Sequence, residues 1–384
     1  MIKHLLGLCT LAASATTVFA QSSVTLYGVA EAGLLYSNNS GGASLAMLNS
    51  GSIQGSRWGL RGAEDLGGGK KAVFNLENGF SVANGHQGQG NAEFGRQAYV
   101  GLSSNNVGML TLGRQYDSVV DYTGPFEAGD QWATYFGAHP GDLDNMNNAN
   151  RTNNAIKYTS PTRSGVTFGG VYSLGGVAGQ TSQNQIWSAG VGYNQGPIAL
   201  GVAFLDVKDP NYSFFGNNPT SSTTASNMAA STVYSGYASA KTQQVIAAGG
   251  AYTVGAATIG ATYSNTAFKD LGAEAGLNPL GYRGSARFNN AEVNFKYLVT
   301  PSLLLGLAYD YTKGYGVNDA TYHQVMAGAD YFLSKRTDVY IAWVYQHASG
   351  TDSTGSPAHA NVTGLTASST AMQTALLSGL RVKF

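Results

Sequence analysis

The chain has 384 residues, with 21 Lys and Arg against 21 Asp and Glu, so its formal net charge is zero. That balance argues against nucleic-acid binding, which shows a basic excess. Abundant Gly (52) and Tyr (23), scarce Pro (9) and 11% charged residues exclude collagen-like and disordered chains, and a single Cys leaves no disulfide framework.

Residues 1–20, MIKHLLGLCTLAASATTVFA, begin with Lys3 and His4, continue through an apolar stretch and end on Val18-Phe19-Ala20. This is the layout of a secretory signal peptide, with small residues at the −3 and −1 positions of a cleavage site. The apolar run is too short for a stable spanning helix. The only cysteine, Cys9, follows Leu8, where a lipoprotein processing site needs a small residue.

From residue 21 onward the dominant signal is period two. In WSAGVGYN, Trp187, Ala189, Val191 and Tyr193 share one face; in ATIGATYS, Ala257, Ile259, Ala261 and Tyr263 do so. AEVNFKYLV sets Ala291, Val293, Phe295, Tyr297 and Val299 against Glu292, Asn294 and Lys296, and VYIAWVYQ repeats the pattern from Val339 to Tyr345. The spacing predicts about sixteen strands. In chain order they lie over 23–36, 52–64, 70–80, 94–104, 108–117, 154–161, 164–175 and 185–195. The rest lie over 197–207, 241–254, 256–267, 288–299, 302–313, 320–333, 335–348 and 373–384. Short turns such as SSNNVGM and YLVTPSL alternate with long polar connections over roughly 117–153, 208–240, 268–287 and 348–371.

An open sheet of that many strands would leave two edges and an apolar face that no helix here can cover. Closing it within a bilayer solves both problems: every backbone group pairs between strands, the apolar face meets lipid and the polar face lines a lumen. Strands of about ten residues, an even count and loops long at one end only are the outer-membrane pattern, and at that count the lumen is wide enough for water. The expected fold is therefore all-β, a 16-stranded antiparallel transmembrane barrel. Tyr36, Tyr158, Tyr263, Tyr297, Tyr311 and Tyr345 lie near strand ends, where phenol rings suit the lipid headgroups. On the last strand, which ends in SGLRVKF, Leu376, Leu380, Val382 and Phe384 share the lipid face while Arg381 and Lys383 face the lumen. The chain ends in a strand because that strand must pair with the first.

SSVTLYGVAEAGL, SRWGLRGAEDLGGGKKAVFNLENGF, FGRQAYVGL, GMLTLGRQYD and the terminal GLRVKF together resemble the general porins of Gram-negative bacteria, of the β-proteobacterial type. The resemblance implies signal peptide 1–20 and one barrel domain, 21–384, in the outer membrane. It implies a homotrimer in contact with lipopolysaccharide, passing ions and small hydrophilic solutes, with no cofactor. Phe384 resembles an outer-membrane sorting signal. The third long loop, 117–153, should fold inward and narrow the barrel. GPFEAGD in that loop resembles the acidic turn of the constriction, which nominates Glu127 and Asp130, with Asp121 beside them. The basic wall is carried over to Arg57, Arg61, Arg96 and Arg114, with Arg151 just past the loop. Arg96 could instead anchor a loop near a subunit interface. Alternation also puts Arg114 on the face of Leu110 and Leu112, so either that face is buried between subunits or a bulge intervenes. An excess of arginine over carboxylate at such a ring predicts mild anion preference.

Enzyme motifs are absent: there is no His-Glu-x-x-His, no Gly-x-Ser-x-Gly and no phosphate loop, since GGGKK lacks its spacing and hydroxyl. The histidines at 86, 139, 323, 347 and 359 have no metal-ligand spacing. Only His323 and His347 lie on strands, where an outer-wall hydrolase would need one; Glu31 and Asp65 read as structural or lumenal. A solute-specific channel, with Trp132, Tyr135 and Phe136 forming an aromatic track, is the first alternative, and a secreted β-rich adhesin the second.

Overall fold

The computed structural model describes residues 22–384; the expected signal peptide, 1–20, lies outside them. Seventeen strand segments run β1 (Ser23–Ser40), β2 (Ala43–Ser50), β3 (Arg57–Gly67), β4 (Lys70–Gly79), β5 (Gln97–Ser104) and β6 (Gly108–Gln115). They continue with β7 (Thr152–Thr159), β8 (Val166–Ser173), β9 (Ile186–Gln195), β10 (Ile198–Lys208), β11 (Thr242–Val254) and β12 (Ala257–Leu271). The last five are β13 (Gly284–Thr300), β14 (Leu303–Gly316), β15 (Thr321–Phe332), β16 (Thr337–Ser349) and β17 (Met372–Lys383). Every pairing is antiparallel, and β1 meets β17 from Val29↔Lys383 to Ser37↔Ala375. The other edge of β1 is shared. Its first half pairs with β3, Ser23↔Ala63 to Val29↔Arg57, and its second half with β2, Ala32↔Ser50 to Ser40↔Ala43. The segments β2 and β3 thus fill one barrel position, split by an excursion over 51–56, and the closed sheet has sixteen positions.

Strand faces are inverted relative to a water-soluble sheet. On β16, Val339, Ile341 and Trp343 are exposed while Asp338, Tyr340, Ala342, Val344 and Gln346 are buried. Leu376, Leu380, Val382 and Phe384 are exposed on the last strand and Arg381 is buried, as alternation predicts. A continuous outward band of Leu, Val, Ile and aromatic side chains is stable only against lipid. Gly67, Gly68 and Gly69 all have positive φ, of 77°, 61° and 72°, so GGGKK is a tight turn between β3 and β4.

Short turns gather at one end and eight loops at the other. The second loop covers 80–96, the third 116–151, the fifth 209–241 and the eighth 350–371. The third loop opens with a helical turn, α1 (Ser118–Tyr122), capped by Asp117, whose Oδ1 accepts from the Val119 and Val120 amides at 2.7 and 3.3 Å. It then lies inside the barrel on a strip of lumen-facing glycines. A Cβ at Gly306 would sit 2.2 Å from the Trp132 indole, one at Gly190 2.4 Å from the Tyr122 ring, and one at Gly201 1.8 Å from the Tyr122 carbonyl oxygen. Only a residue without a side chain admits so close an approach. Wall side chains complete the seat: Asn294 Nδ2 donates to Phe126 O (2.7 Å), Gln324 Nε2 to Ala138 O (3.0 Å) and Gln243 Nε2 to Leu143 O (3.0 Å).

Candidate functional site

Three arginines converge on the lumen face of β3, the end of the second loop and the start of β7. Arg57 and Arg96 share one carboxylate, Glu77: Arg96 Nε lies 2.8 Å from Oε1 and Arg57 Nε 3.5 Å from Oε2. Tyr27 donates its hydroxyl to Glu77 Oε2 at 2.9 Å, holding the carboxylate from below. Arg96 Nη2 donates to the Tyr116 hydroxyl at 3.0 Å, and the Arg151 guanidinium lies 5.3 Å from the Tyr116 ring centroid. Two guanidiniums therefore share one carboxylate, and Arg151, which hydrogen-bonds Ala149 O and Asn148 Oδ1, adds a third positive charge beside Tyr116 with no ion pair of its own among the described residues. Planar, permanently charged guanidinium packs at this density where ammonium would not.

The third loop turns Asp130 towards this wall. Asp130 faces the lumen; desolvation inside the barrel raises its carboxyl to about 7, although the fields of Arg57 and Arg96 pull it down. The Tyr135 amide, five residues on, donates to Ser52 O at 2.7 Å, which ties the loop to the excursion between β2 and β3. Glu31 lies under the same excursion, accepting from the Ser52 amide and the Tyr340 hydroxyl, which ties the excursion to β16.

Glu127 departs from expectation. It is 0% exposed and points away from the gap, accepting from the His139 amide (2.8 Å) and Asn147 Nδ2 (3.2 Å). The cause is local: the next amide, Ala128 N, is held by Glu292 Oε1 at 2.9 Å, which presses this part of the loop against the wall. Glu127 belongs to a buried cluster around His139, whose Nδ1 lies 2.8 Å from Asp144 Oδ2 and whose Nε2 lies 3.6 Å from Glu292 Oε2. Burial opposes charge on His139, but Asp144 and Glu127 overcome it and hold the imidazole well above its usual pKa. Burial also raises the loop acids Glu127 and, with Asp144 beside it, Asp142, the latter to about 7.

Arg114 also departs from expectation. It keeps the outward face that alternation assigns, and a bulge opposite it in β7 makes room for its side chain. Its Nε donates to Gly95 O (2.8 Å), and Nη1 reaches Asn153 Oδ1 (2.6 Å) and Asn217 O (3.0 Å). Arg114 is spent joining the second and fifth loops to β7, so the basic wall forms without it. Arg61 stacks over Tyr27, 5.1 Å from the ring centroid, one turn of the pleat from the cluster. Asp121 pairs with Lys157 at 2.5 Å. Trp132 and Phe136 are buried against the wall, so an aromatic track keeps only Tyr135 of its three expected rings.

Three members were not nominated from sequence: Glu77, Tyr27 and Tyr116. Glu77 lies within NLENGF on a strand whose alternation with Asn75 marks the lumen face, and that signal could have found it. Tyr116 lies just past the end of β6, in the third loop, where alternation no longer gives direction.

A sequence profile described as Gram-negative porin matches residues 7–351. The chain is 36% identical over 241 residues to an outer membrane porin protein of Bordetella pertussis, an alignment covering 55% of this chain and 61% of that protein. It is 29% identical over 357 residues to outer membrane porin protein 32 of Delftia acidovorans, covering 88% of each. Among solved structures it is similar to an anion-selective porin from Comamonas acidovorans, with TM-score 0.73 and 23% identity over 95% of this chain and all of that one. The trimer form of OmpT from Vibrio cholerae gives TM-score 0.64 at 18% identity over 94% of this chain. At those identities the two structures speak for the fold alone.

Proposed function

This chain belongs to the Gram-negative porin family, and on that premise we propose that it is a general diffusion channel of the outer membrane with mild anion preference. The observation that carries the reading is the wall facing Asp130, where Arg57 and Arg96 share the single carboxylate of Glu77 and Arg151 stands beside them over Tyr116. A carboxylate facing guanidiniums across an aqueous gap sets up a transverse field that orients water and polar solutes, and the net positive charge raises local anion concentration. The similar porin from Comamonas is itself named anion-selective. Arg61 extends the basic surface below the gap. Glu127 acts at one remove, by anchoring the loop that carries Asp130. No catalytic activity is proposed.

The assembly is proposed to be a homotrimer, its outer girdle in contact with lipopolysaccharide. The outward face from β2 to β6 supports this. It exposes Met47, Val100, Leu102, Leu110 and Leu112, and its large rings, Trp58 and Phe74, are only half-exposed, whereas β8 to β16 expose Phe168, Tyr172, Trp187, Tyr263 and Tyr309 among others. Interfacial aromatics suit lipid headgroups, and a facet poor in fully exposed rings suits a neighbouring protein. Residues 1–20 are proposed to be removed on export.

Channel activity is tested by reconstitution. Planar bilayers should show stepwise conductance, and liposomes should admit small sugars up to a sharp size limit. Deleting residues 125–136 should raise that limit. A protein inert in both assays would refute the channel, and an unchanged limit after deletion would refute the loop as its narrowest part.

A further inference from the structure

We propose that the cavity above the third loop is a docking subsite for an uncharged, hydroxyl-rich solute of sugar size. The inference rests on the channel reading and adds to it a class of solute. The third, fifth and eighth loops enclose a cavity of about 650 Å³, within the roughly 300–1,000 Å³ of small-molecule sites. No Asp, Glu, Lys, Arg or His lines it. The cavity on the other side of the loop, about 850 Å³, is lined by Asp121, Lys157 and Lys296. The two vestibules therefore differ in kind.

The lining of the upper cavity combines rings with neutral hydrogen-bonding groups. Phe215 and Tyr234 lie with ring centroids 4.9 Å apart at 42°, forming a bent apolar wall. Tyr234 packs over Gly141, whose φ of +70° and 3.0 Å clearance forbid a side chain beneath the ring. Tyr135 packs in the same way over Gly364. The phenol groups of Tyr135 and Tyr234 and the carboxamide of Asn150 have no hydrogen-bonding partner among the described residues, and all three line the cavity. Asn361 fixes the frame: its Oδ1 accepts from Ser231 Oγ (2.7 Å) and the Thr232 amide (3.1 Å), and its Nδ2 donates to Leu365 O (2.8 Å), locking the fifth loop to the eighth.

A pyranose matches this lining. Its C–H face can lie on the Phe215–Tyr234 wall, and its hydroxyls can both donate to and accept from phenol and carboxamide groups. An ion gains no opposite charge there to offset lost hydration. The cavity thus holds neutral solutes directly above a gap whose field favours anions, and the two classes of cargo meet different chemistry in one lumen.

The test is single-channel recording in potassium chloride with maltose added to the long-loop side. The wild-type channel should show current interruptions whose frequency saturates with maltose concentration. The double variant Tyr135→Phe, Tyr234→Phe keeps both rings and removes two neutral hydrogen bonds, so apparent affinity should fall about fivefold to tenfold. Ala230→Trp, which fills the cavity from an exposed lining position, should abolish the interruptions. Salt conductance without sugar reports that each channel has assembled. Non-saturating, viscosity-like slowing in the wild type, or wild-type interruptions in both variants, would overturn the subsite while leaving the channel intact. A wild-type protein without salt conductance would overturn both.

Discussion

Arg114 and Arg57 look alike in sequence, each a basic residue on a short strand, yet the structure gives them different tasks. Arg57 faces the lumen with one shared carboxylate; Arg114 faces outward and is consumed by loop carbonyls. The Arg114→Ser channel should therefore keep its reversal potential in a salt gradient, while the fifth loop loses on the order of 2–4 kcal/mol of docking from charge-assisted hydrogen bonds. Limited proteolysis should cut within 209–241 faster than in the wild type. A reversal potential shifted as far as by Arg57→Ser would return Arg114 to the gap. Alternation read the side of the strand correctly for Arg114; it could not foresee that two distant loops would close over it. Glu127 was illegible for a different reason. In a loop without period, adjacent residues have no assigned direction, so only the fold separates the exposed Asp130 from the buried Glu127.

At the scale of elements, strands were legible because a barrel wall between lipid and water imposes period two throughout. The one strand missed, β2, explains itself: Met47 and Leu48 are neighbours in sequence and both exposed, so no two-faced pattern was there to read. The inward course of the third loop was expected from resemblance, but its seat on Gly190, Gly201 and Gly306 was not, because an isolated strand glycine looks the same whether or not something lies on it. The buried acids anchoring the loop make its docking pH-dependent. Asp142 has a folded pKa raised to about 7 from 3.8, so folding favours its protonated form. Its stabilising effect is fully present below pH 3.8, declines as pH rises between those values and is lost above about 7. The raised pKa of His139 acts with the same sign at higher pH. The loop should be held more firmly at pH 5 than at pH 8, seen as quieter open-channel current at pH 5. Asp142→Asn should flatten that dependence between pH 4 and 7; a variant with the full wild-type dependence would assign it elsewhere.

For the whole molecule, the seam between β1 and β17 decides closure. The Phe384 amide donates to Gly28 O at 3.0 Å, the Gly28 amide donates to Phe384 O at 3.0 Å, and the phenyl ring lies against Gly28. Phe384 is thus proposed both to finish the seam and to be read during assembly. Removing it should lower the yield of heat-modifiable trimer in the membrane fraction without stopping export, and a wild-type yield would count against that role. The mainly aliphatic facet of β2 to β6 is proposed to meet neighbouring copies, and the more aromatic remainder to meet lipid. The lumen, by contrast, is proposed to be governed by local charge, because a chain of zero formal charge gathers Arg57, Arg96 and Arg151 around Glu77 and Tyr116 on one wall. The most direct measurement of that claim is the reversal potential of reconstituted channels across a tenfold potassium chloride gradient. The wild-type protein should prefer chloride, less so near 1 M salt, where the screening length falls to about 3 Å. Arg57→Ser with Arg96→Ser should move the reversal potential towards potassium in trimers of normal stability. A wild-type channel preferring potassium, or a variant with the wild-type reversal potential, would contradict the account.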